Sequence, residues 1–240
     1  MRTFKTILKN EMKLSLRDMN MVIFAICIPL VVLIILGVIY GDKPAFEGAE
    51  YTFLDQSFGA LSTIAICSGG VSDYRSRKIL KRFKVTPVSP VMILTVQVAI
   101  YIIYSVASLA LLYIVSTLFF GFHLLGSLPA FLGGYILVML SIFSIGMMVG
   151  GISPNSQTAS VIASLLYFPM LIFSGATLPY EEMPSALQKI ADILPLTQGI
   201  KILKAASLGL PIENIFVPLI VMAVLAVICI GVSFRFFRWE

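Results

Sequence analysis

Ionisable side chains are missing from the interior of every long apolar run in this 240-residue chain. Ion-coupled carriers and proton pumps hold such groups at membrane depth to bind or relay the ion, so both classes are disfavoured. There is a single histidine, His123, and no Cys, Asp or Glu stands close to it in sequence to complete a metal or catalytic constellation. Paired carboxylates, a histidine cluster and a histidine-containing serine site are all lacking, which argues against an intramembrane enzyme. No GxxxxGK[ST] phosphate loop occurs, so ATP is not bound by that route. The three cysteines, Cys27, Cys67 and Cys229, fall within or at the end of apolar segments and read as small hydrophobes rather than disulfide or metal partners.

What is present is apolar surface. The chain is 59% apolar and only 12% charged, with a mean hydropathy of +1.00, far from the mix of a soluble domain. A bilayer core of about 30 Å needs roughly 20 helical residues. Six apolar segments approach that length: 21–40, 56–71, 91–120, 128–149, 158–178 and 212–234. The expectation is an all-α integral membrane protein of six spans, forming one permease domain over 1–240 with no residues left for a soluble domain. Residues 1–18 are too long and too periodically basic for a signal-peptide n-region, and no small-residue cleavage site follows, so the first span is expected to be retained.

The connecting segments carry the polarity. Residues 1–19 place Arg2, Lys5, Lys9, Lys13 and Arg17 on one helix face and Phe4, Ile7, Leu8, Met12 and Leu14 on the other, the pattern of an interface helix, with Glu11 on the apolar side. Residues 72–90 hold six Lys and Arg within about three helical turns, with Tyr74, Ile79, Leu80 and Phe83 at helical spacing between them. Thr86-Pro87 and Ser89-Pro90 then end that helix, because proline has no amide proton and restricts the residue before it. A solvated loop that merely obeys the positive-inside rule would show the same charge. Residues 179–211 are broken by Pro179, Pro184, Pro195 and Pro211 but keep an apolar stripe, which fits two short helices dipping into the outer interface. Gly37 with Gly41 and Gly146 with Gly150 have the spacing of close helix contacts, either local packing or a dimer seam.

Charge then sets the orientation. With both termini cytoplasmic, thirteen of the 17 Lys and Arg fall on the inner side and four, Lys43, Lys189, Lys201 and Lys204, on the outer. The chain is therefore expected to be a multi-pass plasma-membrane protein with both ends inside.

The run LKRFKVTPVSP and the later FSGATLPYEEMPSALQKIADILPLTQGIKILK resemble the type 2 ABC transporter permeases, over nearly the whole chain. Ser174-Gly175, Pro179, Pro184, Leu187, the Leu194–Thr197 turn and Lys204 match that family's pattern. The resemblance implies a dimer of permease subunits, homomeric or heteromeric, that pairs with a separate ABC ATPase, contacts membrane lipid and binds no nucleic acid, each subunit with extracellular re-entrant helices over 179–211 before the last span. It implies no cofactor on this chain, since ATP and Mg would sit on the ATPase. It also implies that residues 72–90 form the coupling helix, with Tyr74, Arg75, Arg77, Lys78, Leu80, Lys81, Arg82 and Phe83 against the ATPase and Thr86-Pro87 fixing the exit into the third span. Ser174, Gly175, Pro179, Pro184 and Pro195 would shape an outer gate, or equally serve as the helix ends and turns that any such fold needs. Members often carry a Glu-Gly or Glu-x-Gly pair where this chain has Arg77-Lys78, so its coupling helix is unusually basic. The implied activity is export of an amphiphilic or hydrophobic cargo such as a drug, lipid-linked molecule or peptide. A lining without fixed charge suits such a cargo, because a buried charge needs a paired one. The competing expectation is a membrane sensor or scaffold that transports nothing, which ATP-dependent flux in vesicles would exclude.

Overall fold

The computed structural model describes residues 2–41, 43–45, 51–74, 90–153, 156–173, 184–211 and 215–236. Ten α-helices account for nearly all of them: α1 (Arg2–Arg17), α2 (Met19–Val22), α3 (Ile28–Tyr40), α4 (Phe53–Tyr74), α5 (Pro90–Phe120), α6 (Leu128–Ile152), α7 (Ser156–Phe173), α8 (Ser185–Ala191), α9 (Pro195–Leu208) and α10 (Phe216–Phe236). Among the described residues the only β pairing is one isolated bridge, Pro44 to Thr52.

Among the described residues, four stretches are long and apolar enough to cross a bilayer: Ile23–Tyr40, Thr95–Phe120, Leu128–Gly150 and Phe216–Ser233. The expected spans at 56–71 and 158–178 fall on shorter apolar stretches, Phe53–Cys67 and Gln157–Phe173.

Local chemistry fixes the helix ends. Thr52 and Asp55 form a capping box at the start of α4, with Thr52 N donating to Asp55 Oδ2 at 2.9 Å and Asp55 N donating to Thr52 Oγ1 at 3.2 Å. Ser127 caps α6 by accepting from Ala130 N at 3.2 Å. Between α2 and α3 lies one π-helical turn, Ile23–Cys27, in which Ile28 N donates to Ile23 O. Pro29 follows directly, and its missing amide proton and bulky ring disfavour an ordinary α-turn there.

Helix levels can be read from paired side chains. A Cβ on Gly37 of α3 would meet the Phe120 ring of α5, so this glycine serves packing inside the chain. Met21 of α2 and Tyr104 of α5, sixteen residues before Gly37 and Phe120 respectively, both bond to Ser15. The first span and α5 therefore run parallel in register. In the antiparallel pair α5 and α6, Tyr135 meets Ser105 and Tyr101 meets Phe143. Residues 121–127 fold back over the end of this bundle and press Phe122 against Phe58, ring centroids 4.2 Å apart. That end is hereafter the loop end; α1 lies toward the other.

The amphipathic helix α1 packs Phe4, Ile7, Leu8 and Met12 against the core and leaves Lys5, Lys9 and Lys13 exposed. Leu14, expected on the apolar face, is exposed, because α1 rests on the bundle along only part of its circumference.

Candidate functional site

Among the described residues, α9 is one of the most enclosed helices. Ten of its fourteen residues are buried, so it is packed on nearly every side rather than along a stripe. It wedges between α4 and α6. Gly199 sits where a Cβ would strike Val138, and Gly134 where a Cβ would strike Ile202, so α9 and α6 are antiparallel and nearly in contact. On the other side, Gly59 of α4 lies against the main chain of Leu203 and Lys204. At the C-terminal end of α9, Gly126 N donates to Ser207 O at 2.8 Å, and Gly209 takes φ +70°, closing the helix in the left-handed region where glycine is favoured.

This register measures how far the α8–α9 hairpin reaches. Val138 is ten residues along α6 from Leu128, so Gly199 lies about 15 Å in from the loop end at 1.5 Å per residue. Leu196, clustered with Ala60, Cys67 and Ile142, lies about 21 Å in by the same count. The span Leu128–Gly150 has 23 residues, so the start of α9 has passed its midpoint.

Polar groups come with it. Lys201 Nζ stands 2.6 Å from Asp192 Oδ1, and the Gln198 side-chain amide donates to the Asp192 carbonyl. Both bonds tie α9 to the turn after α8. Thr197 Oγ1 is buried without a hydrogen-bond partner among the described residues. The sequence reading set 179–211 apart from the spans and so counted no charge at depth. By the same count Lys201, between Gly199 and Ile202, lies about 11 Å in from the loop end.

Below Leu196, toward the end where α1 lies, an apolar cleft of about 770 Å³, counting its open mouth, runs among α4, α5, α6 and α7. Cys67, Tyr101, Phe143, Tyr167 and Met170 line it, and no charged residue does. Leu196 thus forms part of the partition between this cleft and the loop end.

Of the residues expected to contact an ATPase, Tyr74 is the last of α4, while Arg75, Arg77, Lys78, Leu80, Lys81, Arg82, Phe83, Thr86 and Pro87 lie outside the described residues. Of the expected outer-gate residues, Ser174, Gly175 and Pro179 also lie outside them. Pro184 is the exposed N-cap of α8 and Pro195 the first residue of α9, so the two prolines bracket α8 and start the two helices of the hairpin. Sequence reasoning missed the Asp192, Gln198 and Lys201 cluster. Its signal was an acidic residue closing one helix of a hairpin and a lysine about two turns into the next, across Leu194-Pro195.

A helical bundle with several membrane-length apolar helices, into which a helical hairpin is wedged, has the character of a polytopic membrane protein. The chain belongs to the ABC-2 type transporter family, whose model matches residues 2–208. It is 33% identical to Nodulation protein J of Rhizobium leguminosarum bv. viciae over 99 residues, 41% of this chain and 38% of that protein. It is 26% identical to the inner membrane transport permease YhhJ of Escherichia coli (strain K12) over 166 residues, 68% of this chain and 43% of that protein. The matches thus span about two fifths of the length of these relatives.

Proposed function

We propose that this chain is the membrane subunit of an ATP-driven exporter of amphiphilic cargo, working with a separate ATPase and a second permease subunit. Family membership carries the reading. In it, the stretches Phe53–Cys67 and Gln157–Phe173 complete six spans, both termini are cytoplasmic, α1 lies in the inner interface, and the α8–α9 hairpin re-enters from the outer side. Thirteen of 17 basic residues then fall inside, as the positive-inside rule favours.

The mechanism follows from this placement. Residues 72–90 rest on the ATPase, and ATP binding draws the two halves together and moves the ends of α4 and α5. The cleft below Leu196 takes up the apolar part of a cargo from the inner side. The hairpin, wedged between α4 and α6, is the barrier that must shift to let it pass. A cargo with an apolar part suits a cleft lined without charge.

Reversing charge at Arg77, Lys81 and Arg82 to Glu tests this, with transport followed in vesicles and the ATPase sought by co-purification. The variant is expected to insert normally, lose the ATPase on purification and lose ATP-dependent flux. Unchanged flux and unchanged co-purification would refute the coupling role.

A further inference from the structure

An amphipathic helix beside a membrane ordinarily sinks its apolar face among the acyl chains and turns its charges to water. That arrangement is closed to α1. Phe4, Ile7, Leu8 and Met12 are packed on the bundle, and the Ser15 hydroxyl bonds to Tyr104 and Met21, so the apolar side of the helix is already spent on protein. What α1 turns outward is its basic side. Lys5, Lys9 and Lys13 recur every four residues, which at 1.5 Å per residue makes a row about 12 Å long, and Arg17 extends it to about 18 Å. All four are exposed, and among the described residues none of them is ion-paired. Glu11, the one acid within α1, lies on the opposite side with the apolar residues.

The neighbours of this row show what it meets. Leu16, one turn past Lys13 on the same side, is 60% exposed, and Met19, Ile23 and Ile28 carry exposed apolar surface on into the membrane-length stretch Ile23–Tyr40. Charge gives way to apolar surface without a break, the order in which a phospholipid presents phosphate and then chain. A row facing plain water would leave Leu16 and Met19 wetted, and an acidic protein seated on it would have to extend into hydrocarbon to cover Ile23 and Ile28. Lipid meets both parts at once, phosphate taking the ammonium groups and acyl chains taking the lysine stems and the leucine. We propose that the Lys5, Lys9 and Lys13 row is a binding surface for the headgroup phosphate of anionic phospholipid, so that α1 is held between lipid charge on one side and α5 on the other. The proposal rests on the placement of α1 at the membrane surface given above, and not on the export of any cargo. Each basic residue close to an anionic surface is worth about five-fold in affinity. Salt shortens the reach of that attraction from about 8 Å at physiological ionic strength to about 3 Å at 1 M. Attachment of this kind depends on headgroup and salt, which the burial of an apolar face does not.

Quenching by brominated lipid tests the proposal on the full-length chain in phosphatidylcholine vesicles. Trp239→Phe removes the single native tryptophan, and Leu16→Trp then sets a fluorophore beside the row. Dibrominated phosphatidylglycerol and dibrominated phosphatidylcholine are added separately at equal mole fraction. The Leu16→Trp emission is expected to report an association at least about five-fold stronger for the anionic lipid, falling to parity at about 1 M salt. Val227→Trp, at a 72% exposed position mid-way along α10, should be quenched equally by both lipids as a lipid-facing control. Adding Lys5→Gln, Lys9→Gln and Lys13→Gln together should abolish the preference at Leu16→Trp; the salt titration makes the same comparison with the row intact should that variant insert poorly. Equal quenching of Leu16→Trp by the two lipids at low salt would overturn headgroup selection while leaving α1 at the membrane surface. A preference that survives the three glutamines would overturn the role of the row. Quenching by neither lipid would put the row in water or under a protein partner, and would overturn both the proposal and the placement of α1 on which it rests. None of these readouts involves transport, so they stand or fall apart from the exporter reading.

Discussion

Gly59→Ala adds a single methyl group at the point where α4 and α9 come closest. A Cβ built there strikes Lys204 N and falls 2.7 Å from Lys204 Cα, and ordinary contact begins near 3.4 Å, so the helices must part by at least about 0.7 Å. The obstacle is main chain on both sides, and neither helix can turn a side chain aside to absorb it. Overpacking of this kind costs typically 1–3 kcal/mol. For a chain of this size that lowers Tm by roughly 2–12 °C. Gly133→Ala is the matched control: it adds the same methyl to a neighbouring helix where nothing lies within 4 Å, and it should leave Tm unchanged or slightly raised. Thermal unfolding of both variants in the same detergent gives the stability difference, and ATP-dependent flux in vesicles gives the functional one. Because the displaced element is the hairpin, Gly59→Ala should also change transport at temperatures where it remains folded. Equal Tm and equal flux for the two variants would refute the tight seating of α9.

Other contacts make separate predictions. Tyr135→Phe removes the hydroxyl that lies 2.6 Å from Ser105 Oγ and donates to Ser105 O at 2.9 Å; it should cost about 0.6 kcal/mol and at most about 1.7, measured by the same unfolding assay. Ser105→Ala should cost a similar amount, and the double variant less than the sum of the two. Lys201→Met should destabilise by no more than about 1 kcal/mol, because the pair with Asp192 is partly exposed, while the exchange Asp192→Lys with Lys201→Asp should recover part of any lost flux. Met12→Glu places a charge where α1 meets the core, and is expected to release α1 to added protease while α3 to α10 stay resistant.

Hydrophobic pattern made much of this fold legible, because in a bilayer the length of an apolar run is itself the structural signal. The runs beginning at Met21, Val91, Leu128 and Ile212 each coincide, to within a few residues at their ends, with one of the four membrane-length stretches. The face of α1 was readable in the spacing of Phe4, Ile7, Leu8 and Met12, whereas Leu14 was not, since periodicity gives the direction of a side chain but not how far the neighbouring surface extends. Depth was the larger blind spot. Pro179, Pro184, Pro195 and Pro211 announce a broken segment, which reads as re-entrant outer helices but carries no measure of how far they reach. What lets α9 penetrate is the removal of side chains opposite it, at Gly59, Gly126 and Gly134, together with its own Gly199. Those four positions are scattered over 141 residues and meet only when the helices are assembled. The ion pair of Asp192 and Lys201 was hidden for the same reason, its surroundings being defined by helices far away in sequence.

The π-turn at Ile23–Cys27 amounts to one residue more than a regular helix would use between α1 and the first span. Deleting one residue there would let the backbone regularise while the residues on either side kept their faces, because the wide turn absorbs its extra residue in place. The same deletion in a regular turn of α3 would instead rotate one side of the helix by about 100° relative to the other. The first span thus holds one spare residue, at the single place where its loss would leave both neighbouring faces pointing as they do.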